Sequence, residues 1–224
     1  MILDAQLYLQ RRKKNLLTKY RLRRRIEKVV EMVQKYKNGK DGLKVLDIGA
    51  ADGTMLYVLK QKFDLSSAVG IEPNEGLISA KVSNDIELIH GCGENLPFKD
   101  SYFDIVIISA TIEHVKDPQL VIKETYRVLS KNGLVIIITV VPWLDKLAEK
   151  FHIFPKSLHR HFHRFNLKQL RDLLNHNRFK ILELNKFALP SSGLIPFDSE
   201  IEKILNRIGI NFIMTYELAV GMKL

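Results

Sequence analysis

The sequence contains a single cysteine, Cys92, among its 224 residues. An intrachain disulfide and a zinc site of four cysteines are therefore excluded, and a reducing compartment suits the chain. No uninterrupted apolar stretch approaches the ~20 residues needed to cross a bilayer. The first ten residues carry an acid where a secretory signal would carry positive charge, so no signal peptide and a cytoplasmic location are expected.

Acidic residues are absent from Arg11 to Arg25, a segment that contains nine basic residues. Residues 1–40 contain 13 basic and three acidic residues, so they carry the whole net charge of +10. Apolar residues between Asn15 and Tyr36 recur at three- and four-residue steps, which predicts an amphipathic helix. Three roles stay open for residues 11–28: covering the domain, docking peripherally to an anionic membrane, or binding RNA.

Beyond residue 42, short apolar segments alternate with segments of helical periodicity. The predicted strands are Leu43–Ile48, Ala68–Glu72, Ile86–Ile89, Phe103–Ser109, Leu134–Val141, Phe179–Leu189 and Asn211–Lys223. The predicted helices are Gly53–Lys62, Asn74–Val82, Pro118–Leu129, Asn166–Asn175 and Ser199–Ile208. Such alternation is typical of an α/β, Rossmann-like, doubly wound and mostly parallel sheet, here seven-stranded with an antiparallel edge strand. We therefore predict a basic helical extension over residues 1–40 and one domain over residues 41–224.

A glycine-containing turn follows the first predicted strand and opens a helix, in the segment VLDIGAADG (residues 45–53). Backbone N–H groups and the positive end of the helix dipole meet there, which suits an anionic group. A dinucleotide site needs G-x-G-x-x-G, but Ala51 and Thr54 occupy its second and third glycine positions. Glu72 ends the second predicted strand, where a carboxylate can accept hydrogen bonds from ribose hydroxyls. A ribose site without a pyrophosphate cradle favours a mononucleoside-type cofactor.

Four segments in this order resemble the small class I S-adenosylmethionine-dependent methyltransferases that include the ubiquinone- and menaquinone-pathway enzymes. The segments are VLDIGAADG, VGIEPNEGLISAK, HGCGENLPFKDSYFDIVIISATIEHVKDP and ETYRVLSKNGLVIII. The resemblance implies S-adenosylmethionine as cofactor. It places these residues around that cofactor: Asp47, Gly49, Ala50, Ala51, Gly53, Glu72, Pro73, Cys92, Gly93, Glu94, Ser109 and Ala110. Cys92 departs from the family, which often has an aspartate there to meet the adenine amino group, and cysteine is a poor acceptor.

The implied reaction is methyl transfer to a small-molecule, lipid-linked or glycan acceptor. His114, which follows the fourth predicted strand, is the candidate general base for an acceptor that loses a proton. His152, His159, His161 and His163 raise a metal hypothesis, but no cysteine joins them and their spacing is not that of a zinc site, so no metal is expected. A substrate-facing basic lid with Trp143, Arg160 and Arg164 is favoured over a metal site, and partly solvated loop residues are the commonest outcome for such a segment. An RNA methyltransferase and a non-catalytic cofactor-binding scaffold stay open as alternatives.

Overall fold

The computed structural model describes residues 4–37, 39–150, 161–190 and 198–224. The strands are β1 (Leu43–Ile48), β2 (Leu65–Glu72), β3 (Glu87–His90), β4 (Phe103–Ser109), β5 (Leu129–Val140), β6 (Phe179–Phe187) and β7 (Tyr216–Lys223). The helices are α1 (Ala5–Lys14), α2 (Leu16–Lys37), α3 (Thr54–Lys62), α4 (Glu75–Ile78), α5 (Pro118–Val128), α6 (Pro142–Lys150), α7 (Leu167–His176) and α8 (Asp198–Arg207). Among the helices so described, none is long and apolar enough to cross a membrane.

The strands form one seven-stranded sheet in the order β3-β2-β1-β4-β5-β7-β6. The five strands from β3 to β5 are parallel, whereas β7 runs antiparallel to both β5 and β6. This confirms the predicted mostly parallel α/β sheet, and it locates the antiparallel strand next to the edge strand β6. The order of strand addition switches at β1, since β2 and β3 lie on one side of it and β4 lies on the other. The carboxyl ends of the parallel strands β1 and β4 therefore border the crevice in which ligands of such sheets bind.

Both faces of the sheet are covered by helices. Helices α2 and α3 pack with the sheet in one apolar cluster, and α5 and α7 pack in the other. Strand β4 is buried through its apolar length, as expected for a strand that lies between two helical layers. The N-terminal segment is therefore partly core: Val29, Met32 and Val33 of α2 are at most 2% exposed and pack in the same cluster as Leu43 and Val45 of β1.

Several elements differ in extent from the sequence prediction. Helix α4 ends at Ile78, four residues before the predicted end, because the N–H of Val82 donates to the carbonyl of Asp52 rather than continuing the helix. Strand β7 begins at Tyr216 because residues 211–214 form a turn, closed by the Met214 N–H on the Asn211 carbonyl. Helices α1 and α6 were not predicted, and Asn15 separates α1 from α2.

Candidate active site

The turn between β1 and α3 depends on its glycines. Gly49 and Gly53 have φ angles of +77° and +79°, and Ala51 also adopts a left-handed conformation at +51°. A Cβ atom at Gly49 would lie 2.3 Å from Oγ1 of Thr111, and one at Gly53 would lie 2.1 Å from Cδ1 of Ile86. Backbone conformation therefore favours glycine at both positions, and at Gly49 the whole Thr111 side chain also leaves no space for a Cβ atom.

Glu72 holds this turn from the neighbouring strand. Its carboxylate accepts hydrogen bonds from the N–H of Ala51 at 2.9 Å and from the N–H of Asn74 at 3.0 Å. The side chain is buried, and this burial raises the pKa of Glu72 above its ordinary value although the two backbone bonds act in the opposite direction. Each carboxylate oxygen has a second lone pair, so Glu72 can still accept hydrogen bonds from a ligand. Pro73 is exposed, and its carbonyl contacts Nε2 of His90.

Asp47 lies inside the sheet, directly below the turn. It is 3% exposed, and burial raises its pKa to about 8, with Glu72 adding to the rise and Arg25 opposing it. A buried carboxyl group in this state is ionised when a cation comes close to it. The predicted residues Asp47, Ala50 and Glu72 are thus brought together at the carboxyl ends of β1 and β2.

The loop after β3 contains the three residues expected at the adenine edge. Cys92 is an exposed free thiol. Gly93 is buried, and a Cβ atom there would lie 2.7 Å from Cγ2 of Ile48, so this loop passes close over β1. Glu94 accepts a hydrogen bond from the N–H of Lys116 at 2.9 Å and thereby joins this loop to the one after β4.

Ser109 and Ala110 lie where β4 ends, beside the turn after β1. Ala110 has a φ of +55°, and its N–H donates to the carbonyl of Ile138 on β5. Arg25 of α2 reaches this point from the N-terminal segment, and its Nη1 donates to the Ser109 carbonyl at 3.2 Å. The Arg25 guanidinium also lies 5.9 Å from the ring centre of Tyr216 on β7.

Helix α1 covers the cofactor side of the crevice. Arg12 forms an ion pair with Asp52 at 2.6 Å, and the two side chains are only 11% and 8% exposed. At the other end of α1, Ala5 packs against Gly76 of α4, where a glycine Cβ would lie 2.9 Å from the alanine Cβ. Several bases of the N-terminal segment therefore have internal partners, and buried Arg24 forms another such pair with Glu202 of α8.

Glu113 and His114 are adjacent in the loop after β4, but their side chains differ in exposure. His114 is exposed, and its ring lies 4.6 Å from that of His161, whereas Glu113 is 2% exposed. The role of His114 as a general base stays a prediction. Of the expected lid, Trp143 is 43% exposed and donates through Nε1 to the carbonyl of Phe212. The remaining lid and histidine positions His152, His159 and Arg160 lie outside the described residues.

Sequence reasoning missed Arg25 and Tyr216 as neighbours of the site. Arg25 is one of three consecutive arginines, and their identity does not reveal which of them points inward. A partial signal exists for Arg25, since it lies four residues before Val29 and thus on the apolar face of α2. Tyr216 carries no such signal, because tertiary packing alone brings it to this edge.

Comparison with known proteins agrees with this geometry. A family model described as a methyltransferase domain matches residues 46–137. The demethylmenaquinone methyltransferase of Staphylococcus saprophyticus is 33% identical over 111 residues, which are 46% of this chain and 47% of that enzyme. A ubiquinone/menaquinone biosynthesis C-methyltransferase of Campylobacter jejuni is 29% identical over 106 residues, 44% of this chain and 45% of that one. The matched region thus spans about half the length of these curated relatives.

A solved structure is similar to this chain over most of its length. An S-adenosylmethionine-dependent methyltransferase from Thermotoga maritima superimposes with a TM-score of 0.62 at 24% identity, covering 87% of this chain and 88% of that one. That level of identity shows the shared fold alone. Residues 46–137 are similar to a methyltransferase domain and to enzymes of ubiquinone and menaquinone synthesis, and the chain has the fold of a solved S-adenosylmethionine-dependent methyltransferase.

Proposed function

We propose that this chain transfers a methyl group from S-adenosylmethionine to a small-molecule or lipid-linked acceptor. The observation that carries the proposal is the placement of two buried carboxyl groups, Asp47 and Glu72, at a turn that leaves no room for a side chain at Gly49. S-adenosylmethionine carries a sulfonium and an ammonium group, so it is a cation that suits such a site.

Each part of the cofactor has a complementary group in this crevice. Glu72 would accept the ribose hydroxyls through the lone pairs that its turn contacts leave over. Asp47 would face the positively charged methionine part, which would ionise its carboxyl group. Arg25 would pair with the methionine carboxylate, since its Nε is buried and lacks a hydrogen-bond partner among the described residues. Pro73, Cys92, Gly93 and Glu94 would border the adenosine, and the last of these would act through the carboxylate oxygen not engaged by Lys116.

The protein would promote transfer mainly by alignment and by excluding water. When bound, S-adenosylmethionine supplies a methyl carbon that a nucleophile attacks in line with the carbon–sulfur bond, whose electron pair leaves with the sulfur. Helix α1, held by the Arg12–Asp52 pair, covers the cofactor side of the crevice and keeps water from it. Ser109 and Ala110 would border the sulfonium, so the acceptor would enter over β4 and β5. An acceptor that loses a proton would need a base, for which His114 remains our candidate.

Quinone-type acceptors are suggested by the relatives, whose names specify demethylmenaquinone and ubiquinone or menaquinone synthesis. These acceptors carry long apolar chains, so an enzyme that acts on them works at or near a lipid surface. The two alternatives, an RNA methyltransferase and a scaffold that binds cofactor without transferring methyl groups, predict different outcomes in the experiment below.

Calorimetry with S-adenosylmethionine and transfer of its labelled methyl group to metabolite and lipid extracts test the proposal together. We expect the wild type to bind the cofactor and to label one extract fraction. Asp47→Asn should weaken binding about tenfold, because removing one charged partner costs roughly 1.4 kcal/mol or more. Asp41→Asn, an exposed aspartate six residues earlier, is the matched control and should bind normally. Absence of binding would refute the proposal, whereas binding without labelling would favour the scaffold.

A groove between α1, α2 and α3 favours an anionic lipid surface as the place of action. Its volume is about 610 Å³, and apolar side chains, among them Leu9, Leu22 and Ile26, form much of its lining. Basic residues also line it: Arg12, Lys13, Lys19, Arg23 and Lys62. Apolar surface ringed by bases binds acyl chains and phosphate headgroups at the same time. RNA would use the bases but not the apolar floor.

Vesicle sedimentation distinguishes these partners. The full chain should bind vesicles containing phosphatidylglycerol more tightly than pure phosphatidylcholine vesicles. Changing Lys13, Lys19 and Arg23 together to Gln should reduce that binding more than tenfold, since each base near an anionic surface contributes about 1 kcal/mol. The control changes Lys168, Arg171 and Lys180, three exposed bases outside the groove, and should have little effect. Salt-sensitive RNA binding without vesicle binding would refute the lipid role.

A further inference from the structure

A buried carboxylate and two histidines converge just beyond the carboxyl end of β4. Glu113, His114 and His161 each offer one ligand atom, and these three atoms all lie within 4.8 Å of one another. Glu113 is 2% exposed, His161 is half-buried and His114 is exposed, so the cluster has a buried base and an open side. The two imidazole rings lie 4.6 Å apart at an interplanar angle of 67°.

Backbone hydrogen bonds hold the two chain segments that carry these side chains. The carbonyl of Glu113 accepts the N–H of Phe162 at 2.8 Å and the N–H of His163 at 3.2 Å. The N–H of His114 donates to the carbonyl of Thr111, which closes the turn. Segment 161–163 is therefore fixed against the loop after β4 independently of any ligand, and His161 is positioned opposite His114 before a ligand arrives.

The carboxylate of Glu113 indicates that this cluster receives a ligand. Its Oε2 atom is buried and has no hydrogen-bond partner within the part of the chain that the structure describes. A buried carboxylate oxygen without a partner is unfavourable by about 1–3 kcal/mol or more. A cation bound between the three side chains would supply that partner.

We propose that Glu113, His114 and His161 form a binding site for one divalent transition-metal ion, with Zn²⁺ as the best fit. Two imidazole nitrogens and one carboxylate oxygen suit Zn²⁺ and related ions, whereas Mg²⁺ and Ca²⁺ prefer oxygen ligands alone. Donor atoms bound at ~2.1 Å in a tetrahedron lie roughly 3.4 Å apart, so separations of up to 4.8 Å have to shorten by up to about 1.4 Å. Rotation of the exposed His114 side chain provides this movement.

The proposed site departs from the expectation that the histidine-rich segment holds no metal. Spacing within the segment grouped His159, His161 and His163, whereas the structure directs Nε2 of His163 to the carbonyl of Lys116. The partners of His161 come instead from a loop 47 residues earlier in the sequence. Long-range pairing of this kind has no signature in local spacing.

Three protein ligands leave one position of a tetrahedral ion open, as in catalytic rather than structural zinc sites. The cluster follows Ser109 and Ala110, so that position would face the acceptor side of the crevice and could hold an acceptor oxygen, lowering its pKa. This catalytic part rests on the proposed function, but metal binding itself does not. An imidazole nitrogen bound to metal accepts no proton, so the metal would replace His114 as the means of activating the acceptor.

Metal titration of the full chain tests the site without measuring activity. The protein is stripped with a chelator and dialysed against Zn²⁺, and the metal content is measured by mass spectrometry. We expect one Zn²⁺ per wild-type chain, and more than tenfold weaker binding for His161→Ala and for Glu113→Gln, because loss of a ligand should exceed the effect of losing a supporting residue. His176→Ala changes an exposed histidine on α7, outside the cluster, and should bind like the wild type.

Cobalt substitution provides a second readout that does not depend on overall stability. Co²⁺ in the wild type should give the visible absorption of a four-coordinate ion, and His161→Ala should abolish it while circular dichroism remains unchanged. Failure of the wild type to bind Zn²⁺, or Zn²⁺ binding that persists in both ligand variants, would overturn the proposal. If the same protein still binds S-adenosylmethionine, the metal site fails and the proposed methyltransferase function stands.

Discussion

The two sides of the crevice that we propose for the cofactor and for the acceptor, called the cofactor side and the acceptor side, are built in different ways. On the cofactor side, at the ends of β1 and β2, each carboxylate oxygen of Glu72 already accepts one hydrogen bond, from the N–H of Ala51 or of Asn74. On the acceptor side, at the ends of β4, β5 and β7, buried polar atoms lack hydrogen-bond partners among the described residues. These atoms are Oε2 of Glu113, Oγ1 of Thr215 and both carboxylate oxygens of Glu217.

The cofactor side therefore has its hydrogen bonds formed before a ligand binds, whereas the acceptor side contains buried polar atoms that still lack partners. Buried polar groups in folded proteins nearly always have partners, so we expect those on the acceptor side to gain partners from water or from a ligand. The cofactor side needs only a ligand of the right shape and charge. Four substitutions probe the comparison, and they follow from the largest expected effect to the smallest.

Glu72→Ala should strongly weaken cofactor binding. It removes the ribose acceptor and leaves the N–H groups of Ala51 and Asn74 without their carboxylate, a loss of about 3–5 kcal/mol from two charge-assisted hydrogen bonds. Affinity for S-adenosylmethionine, measured by calorimetry, should fall more than 100-fold. The exposed neighbour Glu75 serves as control, and Glu75→Ala should bind normally. Undiminished binding by Glu72→Ala would contradict the ribose role.

Glu217→Gln should reveal the incomplete acceptor side through pH. Burial raises the pKa of Glu217 from 4.5 to about 7, although Lys186 at 3.7 Å opposes the rise. The raised pKa favours the protonated native state, so the free energy of unfolding should fall as pH rises from about 4.5 through about 7, by at most about 3 kcal/mol.

Denaturant unfolding over this pH range measures the effect. Glu217→Gln should flatten the dependence and should be more stable than the wild type above the raised pKa, because glutamine does not ionise. Glu87→Gln, at an exposed position on β3, is the control and should keep the wild-type slope. A slope that is the same in Glu217→Gln and in the wild type would show that another group causes it.

Arg25→Gln should show whether Arg25 acts on the cofactor or on the acceptor. Arg25 contacts Ser109 and lies near Asp47 and Tyr216, so it is placed between cofactor and acceptor. Loss of its charge should weaken cofactor binding about tenfold, which equals roughly 1.4 kcal/mol. Arg23→Gln changes an exposed arginine on the same helix and controls for net charge. If the KM of the acceptor alone changes, Arg25 belongs to the acceptor side.

Cys92→Asp should strengthen cofactor binding, because it restores the aspartate that the family often has at this position. A carboxylate at this exposed position can accept a hydrogen bond from the adenine amino group, which a thiol does poorly. Affinity for S-adenosylmethionine should rise about three- to tenfold in calorimetry, and Cys92→Ser should leave it nearly unchanged. Weaker binding by the aspartate variant would show that adenine does not lie against this loop.

Sequence reasoning predicted the cofactor side better than the acceptor side, for a physical reason. The turn after β1 and the carboxylate that ends β2 are local features of strand and helix termini, so Gly49, Gly53 and Glu72 are visible in the sequence. Strands β1 and β4 were also predicted with their observed bounds, because fully buried parallel strands are continuous apolar runs. Helix α4 was predicted too long because a tertiary hydrogen bond to Asp52 ends it.

The acceptor side could not be predicted in the same way, since its members are distant in sequence. The bond of Arg25 to Ser109 spans 84 residues, and the cluster of Glu113, His114 and His161 joins two loops. The direction of an arginine side chain on an amphipathic helix depends on which acidic or carbonyl groups the fold brings near it. For Arg12 and Arg24 these are Asp52 and Glu202, neither of which is local.

The sequence by itself determined the α/β fold and the glycine turn, because periodicity, buried strands and local turn chemistry depend on neighbouring residues, and the expected cofactor came from the resemblance to a known family. Only the tertiary structure decided that part of the basic N-terminal segment is core and cover, and that buried acids and histidines meet beside β4. These features depend on contacts between residues far apart in the chain, whose strength is set by burial and by the partners that packing supplies. The physical difference between the two sides of the crevice is therefore also a difference in what the sequence can show.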